Sequence, residues 1–215
     1  MNLSSRLKNK IKSIIDGKKL KKISSYKEID GWLTSNEAIA LYSIAKKLKK
    51  DSLSLEIGSW KGKSTYCISK GIRDGKIIVI DPFNASGGND LDSEKEYLKK
   101  IGKENSLLDI FIENMKKRKV FNKIKIKRGY SFEFSKEVGP LDFLFIDGDH
   151  TIKGCKQDYD LYSKKVKRGG YIAFHDYDKN RPNLGPTYVV HNHVLTSGNF
   201  SFYGVYDSLW VGIRT

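Results

Sequence analysis

The chain has 215 residues, with 40 Lys and Arg against 25 Asp and Glu for a formal charge of +15, a length that suits one α/β domain and would cramp two. Hydrophobic residues at 39% and aromatics at 12% are enough for a core and argue against wholesale disorder, while no apolar run nears the roughly 20 residues of a membrane span. Cys67 and Cys155 form neither a disulfide framework nor a metal-ligand spacing, and the basic start lacks the apolar stretch of a secretion signal, so the expected setting is reduced and cytoplasmic.

In chain order, Leu3, Leu7, Ile11, Ile14 and Ile15 fall on one face of a helix, with lysines on the other face and Gly17 as its expected end. Residues 1–22 hold eight basic side chains against Asp16 alone. Such a helix suits peripheral contact with an anionic membrane, packing on its own domain, or a homodimer interface. Thr34 or Ser35, with Glu37 in the first turn, signals a second helix whose apolar stripe is Ala38, Leu41, Ile44, Ala45 and Leu48. We read residues 1–50 as an N-terminal helical extension, a basic amphipathic helix and a cap helix, ahead of the main domain at 51–215.

From residue 52 the pattern alternates strand and helix. Ser52–Ile57 is a short apolar strand, Gly62–Ile72 a helix, and Lys76–Asp81 a continuous apolar run of the kind buried on both faces of a parallel sheet. The polar stretch Pro82–Ser93, with Gly87 and Gly88 beside Asp90, Asp92, Glu94 and Glu96, reads as a lid or a plain surface loop. A helical region spans 94–119. Lys123–Arg128 alternates Ile with basic residues and suits a strand near the sheet edge. Leu141–Ile146 and Tyr171–Phe174 are two more buried strands, separated by a helix near 151–166. Gly185–Ser197 reads as one more helix. Phe200–Tyr206 and Leu209–Arg214 pair across an Asp207–Ser208 turn. The expected fold is an α/β, Rossmann-like doubly wound sheet, mostly parallel, with one antiparallel strand in a C-terminal β-hairpin.

Residues 99–128 add a second basic cluster, eleven against Glu104, Asp109 and Glu113. Most of the excess charge is Lys, which makes poorer bidentate contacts to phosphates and bases than Arg. A solvated surface is expected first, an anionic substrate or membrane surface next, and specific nucleic acid last.

In such sheets ligands bind beyond the carboxyl ends of the strands. The first strand runs into Glu56-Ile57-Gly58-Ser59-Trp60-Lys61-Gly62-Lys63-Ser64-Thr65. A phosphate-binding P-loop needs four residues between Gly and Gly-Lys-Ser/Thr, and here there are three. The Gly-x-Gly-x-x-Gly dinucleotide fingerprint is absent as well. A nucleoside-binding turn remains: Gly58 lets the backbone approach a ligand, Gly62 lets the next helix start pack tightly, and Asp81 ends the following strand where a carboxylate can accept from both ribose hydroxyls.

With Phe-Ile-Asp-Gly-Asp-His at 145–150 and Gly-Gly-Tyr-Ile-Ala-Phe-His-Asp-Tyr at 169–177, the chain resembles the class I S-adenosylmethionine (SAM)-dependent methyltransferases. More narrowly it is similar to the small O-methyltransferase-like family (methyltransferase domain 24 type), from about Gly31 to Arg214. The resemblance implies that Glu56, Gly58, Ser59, Trp60, Asp81, Asp147 and the Gly129-Tyr130-Ser131 turn surround SAM. It also implies methyl transfer to oxygen of a small hydroxylated acceptor such as a sugar, a glycan unit or a secondary metabolite.

Two neighbouring strands end in Asp147-Gly148-Asp149-His150 and His175-Asp176-Tyr177-Asp178. Asp at strand ends also starts turns and caps helices, which accounts for Asp149 or Asp178 but poorly for the whole cluster, because crowded carboxylates repel unless a cation or proton intervenes. An alcohol nucleophile sheds its proton as it attacks, so a base or a metal helps. Asp147, His175 and Asp176 suit Mg²⁺ or Mn²⁺, with Asp149 or His150 as base. Related enzymes often carry a carboxylate where this chain has His175, so the alternative is a metal-free site with His175 as base. His191 and His193, two apart, make a poor metal pair on a helix, and Asp158 is expected to order backbone or a loop.

Overall fold

The computed structural model describes residues 3–84 and 106–215, with residues 3–12 as backbone only. The expected lid and the start of the helical region at 94 fall outside the described residues. Seven strands form one sheet: β1 (Ser52–Ile57), β2 (Gly75–Asp81), β3 (Ile124–Arg128), β4 (Leu141–Ile146), β5 (Val166–Phe174), β6 (Phe200–Tyr206) and β7 (Leu209–Arg214). Their order is β3-β2-β1-β4-β5-β7-β6. The first five are parallel, and β7 enters antiparallel between β5 and β6. The chain order reverses between β1 and β4, which makes the crevice beyond their carboxyl ends the natural ligand site.

The helices are α1 (Leu3–Lys22), α2 (Ser35–Lys47), α3 (Lys63–Gly71), α4 (Leu107–Lys117), α5 (Ile152–Tyr162) and α6 (Gly185–Val189), the last running on as a π-turn over Val190–Val194. One sheet face packs Phe143, Phe145, Ile77 and Val79 against α2, α3 and α4; the other packs Leu55, Leu144, Ile146 and Ile80 against α5 and the α6 segment. Burial on both faces is why β2 and β4 read as unbroken apolar runs. Cys67 and Cys155 are buried and free on opposite faces, where burial pushes both thiols up.

Several boundaries differ from expectation. Gly17 does not end α1, which continues to Lys22; a helix-interior glycine costs only about 1 kcal/mol, and Leu20 and the fully buried Ile23 draw the following turn onto the core. The 151–166 helix stops at Tyr162 and tightens to a 3₁₀ turn over Ser163–Lys165. β5 begins at Val166, ahead of the Gly169-Gly170 pair, and its pairing with β4 shifts register between Leu141 and Phe143.

The register fixes the site. Ile57 pairs Ile80 and Ile146, and Ile146 pairs Phe174, so the next residues, Gly58, Asp81, Asp147 and His175, stand in one row at the carboxyl edge. The ladder extends one bond past each strand: Gly58 N–H donates to Ile80 O at 2.9 Å, Asp147 N–H to Ile57 O at 2.9 Å, and His175 N–H to Ile146 O at 3.1 Å.

Candidate active site

A cavity of about 890 Å³ runs along this edge, bounded among the described residues by the segment before α2, the β1–α3 turn, the loops after β3, β4 and β5, and Leu184. The segment before α2 is tied over the mouth by Lys61 Nζ on Asp30 at 2.9 Å and Lys63 Nζ on Gly31 O at 2.7 Å. Trp32, Tyr130 and Phe132 stand about half exposed at the rim.

The β1–α3 turn requires its glycines. Gly58 has φ +79°, and a Cβ there would lie 2.1 Å from the Asp147 carbonyl oxygen. Gly62, with φ +90°, caps α3, and its Cβ would meet Met115 Cε at 2.7 Å and the Phe111 ring at 3.0 Å. Between them the turn's amides are occupied: Ser59 N–H (2.7 Å) and Trp60 N–H (3.0 Å) donate to Asp81 Oδ2, joined by Ser59 Oγ at 3.3 Å. The amides that a P-loop would turn on phosphate hold a resident carboxylate instead. Phe83 N–H takes Asp81 Oδ1 at 2.6 Å. Oδ2 is filled and Oδ1 keeps one acceptor position. Asp81, expected to accept from both ribose hydroxyls, in this geometry has room for one. Burial pushes its carboxyl up against the pull of these donors.

Glu56 does not line the cavity. It lies fully buried beneath the turn, where the Ser64 and Thr65 hydroxyls of α3 donate to it, and burial lifts its carboxyl to about 8 with help from the charges of Asp147 and Asp81. Ser131 does line the cavity, and its hydroxyl donates to Asp158, whose own carboxyl burial raises to about 7. Tyr162 Oη closes the group on Ser131 O at 2.5 Å. Asp158 thus orders the loop after β3, as expected.

At the centre, His175 Nδ1 lies 3.1 Å from Asp147 Oδ1 and 3.3 Å from Asp176 Oδ2. His150 Nε2 approaches the same two oxygens, at 3.6 and 3.3 Å. Burial alone would lower both imidazoles, yet the carboxylates hold both above the ordinary histidine value, His175 well above it. Asp176 is itself pulled below the usual carboxylate range, its burial outweighed by His175, His150 and Arg181. Asp176 also sits at φ +56°, a left-handed conformation that costs a non-glycine residue on the order of 1–3 kcal/mol and tends to persist at functional sites.

These residues fit a divalent cation. One oxygen each from Asp147 and Asp176 and His175 Nδ1 lie within 4.8 Å of one another. His150 Nε2 is shielded from solvent and makes no hydrogen bond among the described residues, although it faces both carboxylates. Two carboxylate oxygens and the His175 ring nitrogen converging on one point are the donor set that a metal would satisfy.

Asp149 is exposed and takes the Thr151 N–H at 2.7 Å, opening the turn into α5; Asp178 does the same for Asn180 N–H at 2.9 Å. His191 holds Tyr177 Oη at 2.9 Å and His193 stacks near Tyr159 and Tyr188, away from the cluster. The residue that the sequence reading passed over is Glu37. Its capping box with Thr34 forms, yet the side chain is only 1% exposed and also reaches His175 Nε2 at 3.4 Å and Ser208 N–H at 3.0 Å. Burial would raise its carboxyl, but His175, Ser208 and Thr34 hold it down at about 2. Its spacing to Leu41 and Ile44 on the buried stripe was the available signal.

Comparison with known proteins gives a coherent result. The family described as methyltransferase domain matches residues 55–177. An uncharacterised protein of Acanthamoeba polyphaga mimivirus is 28% identical over 150 residues, 66% of this chain; the match spans 59% of that viral protein's own length. Among solved structures, the O-methyltransferase TomG of Streptomyces achromogenes, involved in tomaymycin synthesis and solved with SAM, aligns at a TM-score of 0.62 and 15% identity over 92% of this chain and 89% of its own. An O-methyltransferase of Bacillus cereus solved with SAH, the demethylated product S-adenosylhomocysteine, gives 0.62 and 14% over 93% and 90%.

Proposed function

We propose that this chain, which belongs to the methyltransferase-domain family, binds SAM along the carboxyl edge of its sheet and transfers the methyl group to a hydroxyl oxygen of a small acceptor, a sugar, glycan unit or secondary metabolite. The observation that carries this reading is the convergence of Asp147, His150, His175 and Asp176 in the loops just beyond β4 and β5, beside the Gly58 turn. In the reaction the acceptor oxygen attacks the methyl carbon, the carbon–sulfur bond breaks, S-adenosylhomocysteine leaves, and the hydroxyl proton passes to a base. Close in-line approach is what binding must secure.

The residues divide the work. Gly58 and Ser59 admit the nucleoside to the backbone, Asp81 Oδ1 accepts one ribose hydroxyl, and the Gly129-Tyr130-Ser131 turn lies beside the cofactor. The half-exposed rim aromatics Trp32, Tyr130 and Phe132 offer flat apolar faces to an acceptor. A divalent cation, Mg²⁺ or Mn²⁺, held by Asp147, His175 and Asp176 would lower the pKa of an acceptor hydroxyl. The base is Asp149 or His150; His150 faces the cluster, whereas Asp149 is turned to Thr151 N–H, which favours His150.

Thermal unfolding with SAM or SAH, each with Mg²⁺, Mn²⁺ or EDTA, tests this. Ligand at 100 times its Kd adds about 2.7 kcal/mol, roughly 5–10 °C for a chain of this size. Absence of a shift with either nucleoside, in folded protein, overturns the reading. A nucleoside shift that is the same in metal and in EDTA removes the cation from it.

A further inference from the structure

We infer that the strand-end cluster selects a divalent transition-metal ion of the Mn²⁺–Co²⁺–Zn²⁺ class over Mg²⁺, through the imidazole donor His175 Nδ1. The inference rests on the reading of this cluster as a cation site. His175 Nδ1 lies 3.1 and 3.3 Å from Asp147 Oδ1 and Asp176 Oδ2, so the candidate donors are one imidazole nitrogen and two carboxylate oxygens, with the His150 ring facing the same oxygens beside them. Mg²⁺ favours oxygen donors and retained water. Imidazole suits the later first-row metals, and affinity for a mixed site rises along the series from Mn²⁺.

Glu37 orients one of the two rings. Its Oε2 accepts from Thr34 N–H at 2.8 Å and faces His175 Nε2 at 3.4 Å, while Oε1 accepts from Ser208 N–H at 3.0 Å and Ser208 Oγ at 2.6 Å. Fixed by donors from Thr34 and from the β6–β7 turn, this carboxylate can only accept, so His175 Nε2 keeps its hydrogen and Nδ1, facing Asp147 and Asp176, is the nitrogen that exchanges its proton for a cation. An outer carboxylate that fixes the tautomer and ring angle of a ligand histidine is a recurrent support of metal sites. His150 is held by its backbone: its carbonyl accepts Gly185 N–H at 2.8 Å, and any Cβ at residue 185 would approach that oxygen to 2.5 Å.

The test is metal binding by the full chain after chelator treatment. Co²⁺ is followed by its visible absorption, Mn²⁺ by electron paramagnetic resonance, and Mg²⁺ by displacement of Mn²⁺. Because transition metals outbind Mg²⁺ at most sites, the decisive quantity is the change in the Co²⁺:Mg²⁺ affinity ratio on substitution. His175→Asp is expected to lower that ratio at least tenfold while Mg²⁺ still binds. Glu37→Gln is expected to weaken Co²⁺ by about 10- to 100-fold. Circular dichroism and the SAH thermal shift report that each variant is folded and still binds nucleoside. A ratio unchanged in His175→Asp, or wild-type protein binding Mg²⁺ as tightly as Co²⁺, overturns the inference but leaves the cation site standing. Absence of binding by all three metals, with the SAH shift intact, overturns the cation site as well. Loss of the SAH shift in the wild type instead strikes at the methyltransferase reading.

Discussion

Glu56 gives the sharpest test of the site's electrostatics. It is fully buried under the β1–α3 turn, and its carboxyl is raised from 4.5 to about 8 by burial, against the pull of the Ser64 and Thr65 hydroxyls. A group shifted that far binds its proton on the order of 4–5 kcal/mol more tightly in the fold than in the unfolded chain. The folded value is the higher one, so this stabilisation is complete below about pH 4.5 and is lost as pH rises through about 8. Glu56→Gln keeps the shape and removes the titration. The two proteins should agree within about 1 kcal/mol at pH 5, allowing for one altered hydrogen bond. At pH 9 the variant should be the more stable by several kcal/mol. Urea unfolding at pH 5, 7 and 9 reads this directly, and the difference between the proteins cancels every other titrating group. Parallel pH profiles, or a variant several kcal/mol weaker at pH 5, would mean that Glu56 is ionised in the fold and that the reasoning fails.

Asp81→Asn exchanges an acceptor-only carboxylate for an amide, leaving at least one of the Ser59, Trp60 and Phe83 N–H groups unpaired. The expected cost is about 1–3 kcal/mol, together with loss of the SAH thermal shift; a retained shift would refute the role in binding. Gly62→Ala must adopt φ +90° and press on Met115 Cε at 2.7 Å. About 2–4 kcal/mol of destabilisation is expected from strain and overpacking together, and adding Met115→Ala should relieve part of it, so strictly additive effects would count against the contact. Ser131→Ala removes the hydrogen bond that lowers Asp158, whose carboxyl should then titrate above its present value of about 7; carboxyl ¹³C NMR shows whether it moves up or stays.

How much of this was legible in the sequence depends on how local the cause is. β1 and β4 were readable to the residue because an apolar run bounded by Gly58, or by Pro140 and Asp147, can be little else. The β6–β7 hairpin was equally plain, its two strands separated only by Asp207 and Ser208. Gly17 misled because a glycine is a weak stop signal, and what carries α1 past it is the burial of Leu20 and Ile23 on a surface assembled from later residues.

The site divides in the same way. Strand-end positions in a parallel sheet share one edge, so the row Gly58, Asp81, Asp147 and His175 followed from the strand assignments alone. What the row's members do to one another did not follow. Asp81 binds the amides of a turn more than twenty residues earlier, and that contact, not its place at the end of β2, limits what it can offer a ribose. Glu37 looked complete as half of a capping box; its second engagement, with His175 and Ser208, bridges 138 and 171 residues of sequence. A carboxylate satisfied locally gives no sign of a distant partner except its position, and Glu37 occupies the buried face of α2. A charged residue on the apolar stripe of a helix has to find compensation inside the fold, and here the compensation is a histidine of the candidate catalytic cluster.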